Sequence, residues 1–247
     1  MRYDTYDPLN VLKPVAQDIW IVDGPTIRFG FFGIRLPFPT RTTLIRLKSG
    51  DLFVHSPGHM TEDLRADVNG LGRVAHLIAP NRIHYWWVGS WAAAYPDALA
   101  YAAPKVRERA APHGIAFDRD LGDEPDPAWA GEIDQVAVAG SFLTEIVFFH
   151  RATRTLILTD LVQNYEAPRL HGPILRFLAR RIGVVDPDGT MPVDLRATFR
   201  GRRAEVRAAV RQMIAWAPER VILAHGRWYT ENGVAELRRA FRWVGDL

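Results

Sequence analysis

Residues 74–89, VAHLIAPNRIHYWWVG, join an apolar strand to a polar and aromatic segment. The run from Val74 to Ala79 has the composition of a buried strand, and Pro80 and Asn81 mark its end. In α/β proteins, polar residues that follow the carboxyl end of a buried strand are the first place to look for a site. This stretch therefore predicts a central strand and one edge of a functional site.

The segments on both sides have the patterns of further short strands and of helices. Apolar runs bounded by turn residues predict strands at 19–23, 42–47, 52–55, 98–102, 142–150, 155–159 and 221–225. Helical periodicity and caps predict helices at 61–70, 90–95, 105–111, 202–217 and 231–244. Thr61 is the expected N-cap of the first helix and Gly70 its expected end, while 118–129 is expected to be a surface loop. The order indicates one layered α/β domain over 1–247.

Composition excludes several classes of protein. The 247 residues are 48% hydrophobic and 24% charged, an ordinary globular balance. Absence of cysteine rules out disulfides, thiolate-bound zinc and a cysteine nucleophile. No apolar run approaches the roughly 18 residues of a membrane span, so a cytoplasmic protein is expected. The net charge is only +3 and no nucleic-acid recognition motif accompanies the arginines, so a small-molecule partner is favoured over nucleic acid.

Four predicted strands end on polar residues that can carry chemistry. They are His55, the segment from Asn81 to His84, Asp160 and His225. A single histidine or aspartate at such a position commonly serves as a cap or turn partner. Four at the same kind of position favour a shared site at one end of the sheets.

The order of these residues resembles the metallo-β-lactamase superfamily. Its signature is His-x-His-x-Asp-His-x-Gly after a strand, and here 82–89, RIHYWWVG, takes that place with Gly89 fixing the register. His84 then matches the second histidine, Asp160 the bridging aspartate and His225 the final histidine. The remaining ligand positions hold other residues, namely Arg82, Trp86, Trp87 and Ser141. The segments 6–24, 37–43 and 91–98 resemble an uncharacterised branch of that superfamily. The resemblance implies a four-layer αββα sandwich.

The resemblance also implies a degenerate metal site. Too few ligands remain for two ions, but His84, Asp160 and His225 are a set that can hold one zinc or iron ion with an open position. His84 and Asp160 would then take part in catalysis. His55 or Asn81 could add a fourth contact, and Glu145 is a more distant candidate. The chain would be a single-metal hydrolase of unknown substrate.

Two other hypotheses stay open at this point. In the first, the site is metal-free: Arg82 pairs with Asp160, and the protein binds a small molecule or has no catalytic role. Asn81, Arg82, Trp86 and Trp87 are the candidate substrate-binding residues, although the tryptophans, with Tyr85 and Trp91, could equally pack in the core. In the second, Ser141 is a nucleophile with His225 and Asp160 as partners.

One further segment, 168–185, combines arginines with apolar residues and predicts a basic amphipathic helix. Such a helix can form a solvated outer face, lie on an anionic membrane or cover a site. In the last case His171 would face the site.

Overall fold

A computed structural model describes residues 2–30 and 36–247 of the chain. Its larger sheet has seven strands in the order of the sequence. They are β2 (Lys13–Ala16), β3 (Ile19–Phe29), β4 (Leu36–Arg46), β5 (Asp51–His55), β6 (Arg73–Ala79), β7 (Leu99–Ala102) and β8 (Arg119–Asp120). Pairing is antiparallel from β2 to β5 and parallel from β5 to β8. Strands β5 and β6 therefore end at the same edge of the sheet.

The second sheet has four strands, and a two-stranded ribbon lies apart from it. The sheet order is β13 (Arg220–Leu223), β11 (Thr155–Leu158), β10 (Thr144–His150) and β9 (Ile133–Ala139). Strands β11 and β13 are parallel although they lie far apart in the sequence. The ribbon pairs β1 (Arg2–Tyr3) with β12 (Leu170–His171). The parallel pair brings the ends of β11 and β13 side by side.

Helices cover the outer faces of both sheets. The helices are α1 (Glu62–Leu71), α2 (Val88–Ala94), α3 (Val106–Ala110), α4 (Pro173–Ile182), α5 (Val193–Ala197), α6 (Arg203–Ala215) and α7 (Gly233–Ala240). Buried residues of α1, α2 and α3 join the core of the larger sheet, and those of α6 and α7 join the outer core of the smaller sheet. Over the described ranges, no helix is long and apolar enough to cross a membrane.

The core between the two sheets is built on aromatic side chains. Phe53 of β5 packs edge-on against Phe148 of β10, with ring centroids 5.2 Å apart, and against Trp129 at 5.1 Å. Phe148 points into this core, while its neighbours Val147 and Phe149 pack on the helical side. The smaller sheet is thus buried on both faces, which explains its continuous apolar strands. The layers follow the αββα order that the sequence predicts.

Several boundaries differ from the sequence-based prediction. Thr61 is confirmed as N-cap, since its hydroxyl accepts from the Leu64 N–H at 3.1 Å. Gly70 as the helix end is wrong: α1 continues to Leu71, and the close approach occurs at Gly72, where a Cβ would lie 2.4 Å from the Gly50 carbonyl oxygen. Strand β9 was not predicted. The expected surface loop at 118–129 contains β8 and ends on the fully buried Trp129.

The aromatic core yields a test of this architecture. We predict that Phe148→Ala lowers the free energy of unfolding by about 3–5 kcal/mol, because a buried ring is removed between two sheets. Phe148→Leu, which keeps most of the volume, should cost less. The matched control is Phe177→Ala on the exposed side of α4, expected to change stability by about 0.5 kcal/mol or less. Urea denaturation measures all three variants, and equal effects at 148 and 177 would contradict the packing described.

Candidate functional site

Three strand ends bring His84, Asp160 and His225 into one cluster. His84 follows β6, Asp160 follows β11 and His225 follows β13. The two Nε2 atoms of the histidines are 3.2 Å apart. Asp160 Oδ2 lies 3.2 Å from His84 Nε2, and Asp160 Oδ1 lies 3.4 Å from His225 Nε2. One potential ligand atom from each residue lies within 4.8 Å of the other two, a spacing compatible with a shared metal ion.

The His225 ring is oriented by a backbone carbonyl. Its Nδ1 lies 2.8 Å from the carbonyl oxygen of Pro39. Because a carbonyl only accepts, Nδ1 carries the proton, and in the neutral ring the lone pair on Nε2 faces Asp160 and His84. Phe38 packs edge-on against the same ring, with centroids 5.4 Å apart. The ring therefore presents the nitrogen that a metal or a proton donor requires.

Arg41 anchors the end of β13, from which His225 projects. Its guanidinium donates to the carbonyl oxygens of Leu223 and Gly226 and pairs with Asp23 at 2.7 Å. The Arg41 side chain is only 2% exposed, and Asp23 also pairs with Lys13 at 2.8 Å. A buried guanidinium is tolerated when its donors are matched in this way. The sequence-based reasoning did not single out Arg41.

Ser56 orients the other ring. His84 Nδ1 and Ser56 Oγ share a hydrogen bond of 2.7 Å. Ser56 has a φ of 52°, unusual for a residue other than glycine, and its carbonyl accepts from the Thr42 hydroxyl at 3.0 Å. The sequence signal for Ser56 is its place directly after His55, one of the four polar strand ends.

Asn81 lies beneath the cluster and does not line the cavity beside it. Its Oδ1 accepts from the backbone N–H groups of Ile83 and His84, at 2.8 and 3.2 Å. Its Nδ2 donates to Asp160 Oδ2 at 2.9 Å and to Thr159 Oγ1 at 2.7 Å. One buried amide thus fixes both the backbone of His84 and the carboxylate of Asp160. This placement favours a positioning role over the substrate contact expected from the sequence.

Glu145 shapes the chain around Asp160 from within β10. One carboxylate oxygen accepts from Thr159 N at 2.7 Å, and the other accepts from Asp160 N at 2.7 Å and Leu161 N at 3.3 Å. Asn81 Nδ2 lies 3.2 Å from that second oxygen. These bonds direct Glu145 toward the backbone at the end of β11, so it serves as a support of the strand end and stands outside the metal-ligand group.

The charged groups of the cluster are buried, and their attraction for one another offsets the cost of burial. Burial favours the neutral form of Asp160, but His84 and His225 outweigh it and hold the pKa of Asp160 well below its usual range. Burial likewise disfavours protonated His84, yet the carboxylates of Asp160 and Glu145 raise its pKa above the ordinary value. Burial, followed by the charge of Asp160, raises the pKa of Glu145. Asp160 is therefore the ionised carboxylate of the site.

His55 lies in the core and does not join the cluster. Its ring is 2% exposed and packs edge-on against Phe148, with centroids 5.5 Å apart. Its Nε2 is buried without a hydrogen-bond partner among the described residues. Burial, and then the charge of His84, lowers the pKa of His55 to about 3. The expected fourth contact from His55 is therefore wrong for this arrangement.

Two other expectations are contradicted by the geometry. Arg82 does not pair with Asp160: it donates to the Phe142 carbonyl oxygen at 3.1 Å, and its guanidinium lies over the Phe142 ring, 4.7 Å from the centroid. Ser141 donates its hydroxyl to the Thr198 carbonyl at 2.9 Å on the surface, so the serine-nucleophile hypothesis is wrong.

The helix predicted near residues 168–185 is present as α4, but His171 precedes it and does not face the site. Its Nε2 lies 2.6 Å from Asp4 Oδ2, on an exposed face of the molecule. Ile182, the last residue of α4, is the part of that helix that reaches the site region.

A cavity of about 600 Å³ adjoins the cluster, and His84, Asp160 and His225 form part of its wall. Trp86 and Trp87 also line it. Trp86 is 39% exposed and stacks on Tyr85, with ring centroids 4.8 Å apart and planes 22° from parallel. Trp91, in contrast, is buried and donates to the Gly58 carbonyl at 2.8 Å. The aromatic stretch therefore divides between the cavity wall and the core.

The fold and the cluster together define a protein of metallo-β-lactamase fold. The structure is similar to DIM-1 metallo-β-lactamase exposed to ceftazidime, with a TM-score of 0.64 and 13% identity over 99% of this chain and 98% of that one. It is also similar to a metallo-β-lactamase from Pontibacter korlensis, with a TM-score of 0.59 and 13% identity over 96% of this chain and 99% of that one. A third similar structure is the metallo-β-lactamase FIM-1 from Pseudomonas aeruginosa in its mono-zinc form, with a TM-score of 0.58 and 13% identity over 96% of both chains. At such identities the likeness establishes the fold.

The sequence itself points to a narrower group. Residues 17–171 match the family described as Domain of unknown function (DUF4336), and the chain belongs to this family. No curated protein matches the sequence. The expectation of an uncharacterised branch within this fold is confirmed.

The buried His55 yields a prediction about pH. An unfolded histidine has a pKa of about 6.5, so below that pH the unfolded chain binds a proton that folded His55, with its pKa of about 3, does not. His55 therefore makes the fold lose stability as the pH falls from 6.5 toward 3. Between pH 7.5 and pH 5, we expect the free energy of unfolding to fall by about 2 kcal/mol more in the wild type than in His55→Phe.

Chemical denaturation at the two pH values measures this difference. The control is His59→Gln, an exposed residue after β5, which should retain the wild-type loss of stability. Equal losses in the wild type and in His55→Phe would show that His55 does not titrate as described.

Proposed function

We propose that this protein binds one divalent transition metal ion between His84, Asp160 and His225 and hydrolyses a small molecule held in the adjoining cavity. The observation that carries the proposal is the convergence of two imidazole nitrogens and one carboxylate at the ends of three strands. Zinc accepts this set with an open coordination position, and so does non-haem iron(II).

The spacing and orientation of the donors fit such an ion. Two nitrogens bound tetrahedrally to zinc at about 2.0–2.1 Å lie about 3.3 Å apart. The Nε2 atoms of His84 and His225 are 3.2 Å apart. Each ring is also held through its other nitrogen, by Ser56 and by the Pro39 carbonyl, as metal-binding histidines usually are.

One ion is favoured over two. Among the described residues, the positions that would complete a second set hold Ser141, which faces the surface, and Arg82, which contacts Phe142. Trp86 and Trp87 contribute apolar surface to the cavity and no ligand atom. The similar metallo-β-lactamase FIM-1 has been solved in a mono-zinc form, so a single ion is compatible with this fold.

The residues of the chain have distinct tasks in the proposed reaction. A bound ion would supply Lewis-acid activation of water or of a substrate carbonyl. Asp160 remains ionised, and its Oδ1 is held only loosely, with His225 Nε2 and Gln163 Nε2 both at 3.4 Å. That oxygen can accept a hydrogen bond from an attacking water and so orient it toward the substrate. His84 and His225 fix the position of the reacting groups against the cavity.

A metal-free binding protein is the second candidate, and a particular observation favours it. The raised pKa of His84 allows its imidazolium to balance the charge of Asp160 without any ion. In that case the cavity would bind a ligand and no hydrolysis would follow. Cytoplasmic location stays a prediction in both cases.

The direct test is metal uptake. We expect protein dialysed against Zn²⁺ or Fe²⁺ to retain about one equivalent, measured by mass spectrometry of the element, because three donors converge. His84→Ala, Asp160→Ala and His225→Ala should each abolish uptake. The control His171→Ala removes an exposed histidine and should retain the metal.

Activity follows on the loaded protein, with hydrolysis of 4-nitrophenyl butyrate as the assay. Activity that vanishes with a chelator and in His84→Ala supports the proposal. Uptake of less than about a tenth of an equivalent by the wild type would instead favour the metal-free candidate.

Asn81 provides a separate prediction. We expect Asn81→Ala to weaken metal affinity by about 10- to 100-fold, because the Asp160 carboxylate and the His84 backbone lose their shared support. The control is Gln135→Ala, which removes another buried amide, one that bonds Trp129 and the carbonyls of Gly122 and Glu124. Competition with a zinc indicator measures affinity, and denaturation measures stability. Similar losses of affinity in both variants would mean that Asn81 acts only through general stability.

A further inference from the structure

The cavity beside the cluster has apolar walls supplied by several parts of the fold. Strand β4, the loop after β6, and helices α4 and α5 all contribute. The apolar wall residues include Leu36, Phe38, Ile83, Trp87, Ile182 and Leu195. At about 600 Å³ the cavity is within the ordinary size range of small-molecule sites. Walls of this kind stabilise a ligand by removing its apolar surface from water.

The charges around the cavity disfavour an anion. Arg41 is the sole arginine or lysine that the structure, in its described part, places along the wall. Both sides of its guanidinium are engaged, by Asp23 and by the carbonyls of Leu223 and Gly226. The wall also carries the carboxylates of Asp160 and Asp194. Among the described residues of the wall, a carboxylate on the ligand would face these groups without a free cationic partner.

Two uncharged polar side chains of the wall lie directly against the cluster. Gln163 lies against Asp160 at 3.4 Å, and Ser56 lies against His84 at 2.7 Å. A ligand that satisfies both regions has one compact polar group directed at the cluster and an apolar body along the walls. The polar group must be uncharged, for the reason given above.

We propose that the cavity selects a neutral ester with an alkyl or aryl body, whose carbonyl group reaches His84, Asp160 and His225. The hydrolysis of such an ester rests on the proposed function, whereas the preference for a neutral apolar ligand does not. In the reaction, a bond forms between the water oxygen and the acyl carbon, and the bond from that carbon to the alcohol oxygen breaks. One proton of the water ends on the leaving alcohol oxygen, while Asp160 Oδ1 orients the water by accepting a hydrogen bond from it, so the products are an acid and an alcohol.

Binding is tested first, on metal-free protein, with two probes that match in length and differ in charge. These are 1-octanol and octanoate, titrated at pH 8 with tryptophan fluorescence as the signal, since Trp86 and Trp87 line the cavity. We expect octanol to bind about tenfold or more tightly, because octanoate would leave an unpaired charge beside carboxylates. Equal binding of the two probes, tighter octanoate binding or no binding of octanol would overturn the proposal.

A charge placed in the wall sharpens this test. Ile182→Lys puts a cation on the cavity wall and should shift the preference toward octanoate by about tenfold or more, since it supplies the missing partner. Ile174→Lys is the matched control on the same helix, at a position 62% exposed and outside the cavity wall. It should leave the octanol preference unchanged. Equal shifts in the two variants would show that the probes bind elsewhere.

Measurements of ester hydrolysis then test the ligand preference and the proposed hydrolysis separately. With zinc-loaded protein, kcat/KM for 4-nitrophenyl esters should rise about three- to fourfold per added methylene from acetate to hexanoate. The singly charged 4-nitrophenyl succinate should react more slowly than the uncharged butyrate. Octanol binding without metal uptake and without ester hydrolysis would refute the proposed function and keep the ligand preference. Metal-dependent hydrolysis that ignores chain length and charge would refute the ligand preference and keep the function.

Discussion

The side chain of Asn81 joins the two sheets at the point where the candidate site forms. Its oxygen accepts from the backbone after β6 in the larger sheet, and its nitrogen donates to Asp160 after β11 in the smaller one. Because the amide is fully buried, its donors and acceptor must be satisfied inside the protein. The distance between His84 and Asp160 is therefore set by one rigid group, and the rest of the site is arranged around it.

The buried charged groups around the site are likewise satisfied by partners inside the protein. Glu145 accepts from the backbone N–H groups of residues 159–161, and Arg41 donates to Asp23 and to the carbonyls at the end of β13. Isolated buried charges would be strongly destabilising, whereas these are matched on nearly every side. The result is a site whose donors are held in place before any ligand arrives.

Strand periodicity in the sequence was sufficient to predict the layered α/β class and the polar strand ends. The αββα layers and the choice of His84, Asp160 and His225 came from the resemblance to metallo-β-lactamases. It was not sufficient for the directions of side chains. The predicted pair of Arg82 with Asp160 was wrong because the guanidinium packs over the Phe142 ring, which comes from a distant segment. Ser56 and Arg41 were overlooked for the same reason: His84, which bonds Ser56, and the end of β13, which bonds Arg41, come near only in the folded chain. Strand β9 has ordinary composition and pairs only with β10.

The parallel pairing of β11 with β13 has a consequence for the order in which the molecule is completed. His84 and His225 are 141 residues apart, and β13 is the last strand of the chain to join a sheet. The cluster thus does not exist in any partly synthesised or half-folded chain that lacks the C-terminal strand. A ligand that requires all three residues would bind only the finished fold and would stabilise it as a whole. Occupancy of the site would then be a measure of whether both halves of the protein have assembled.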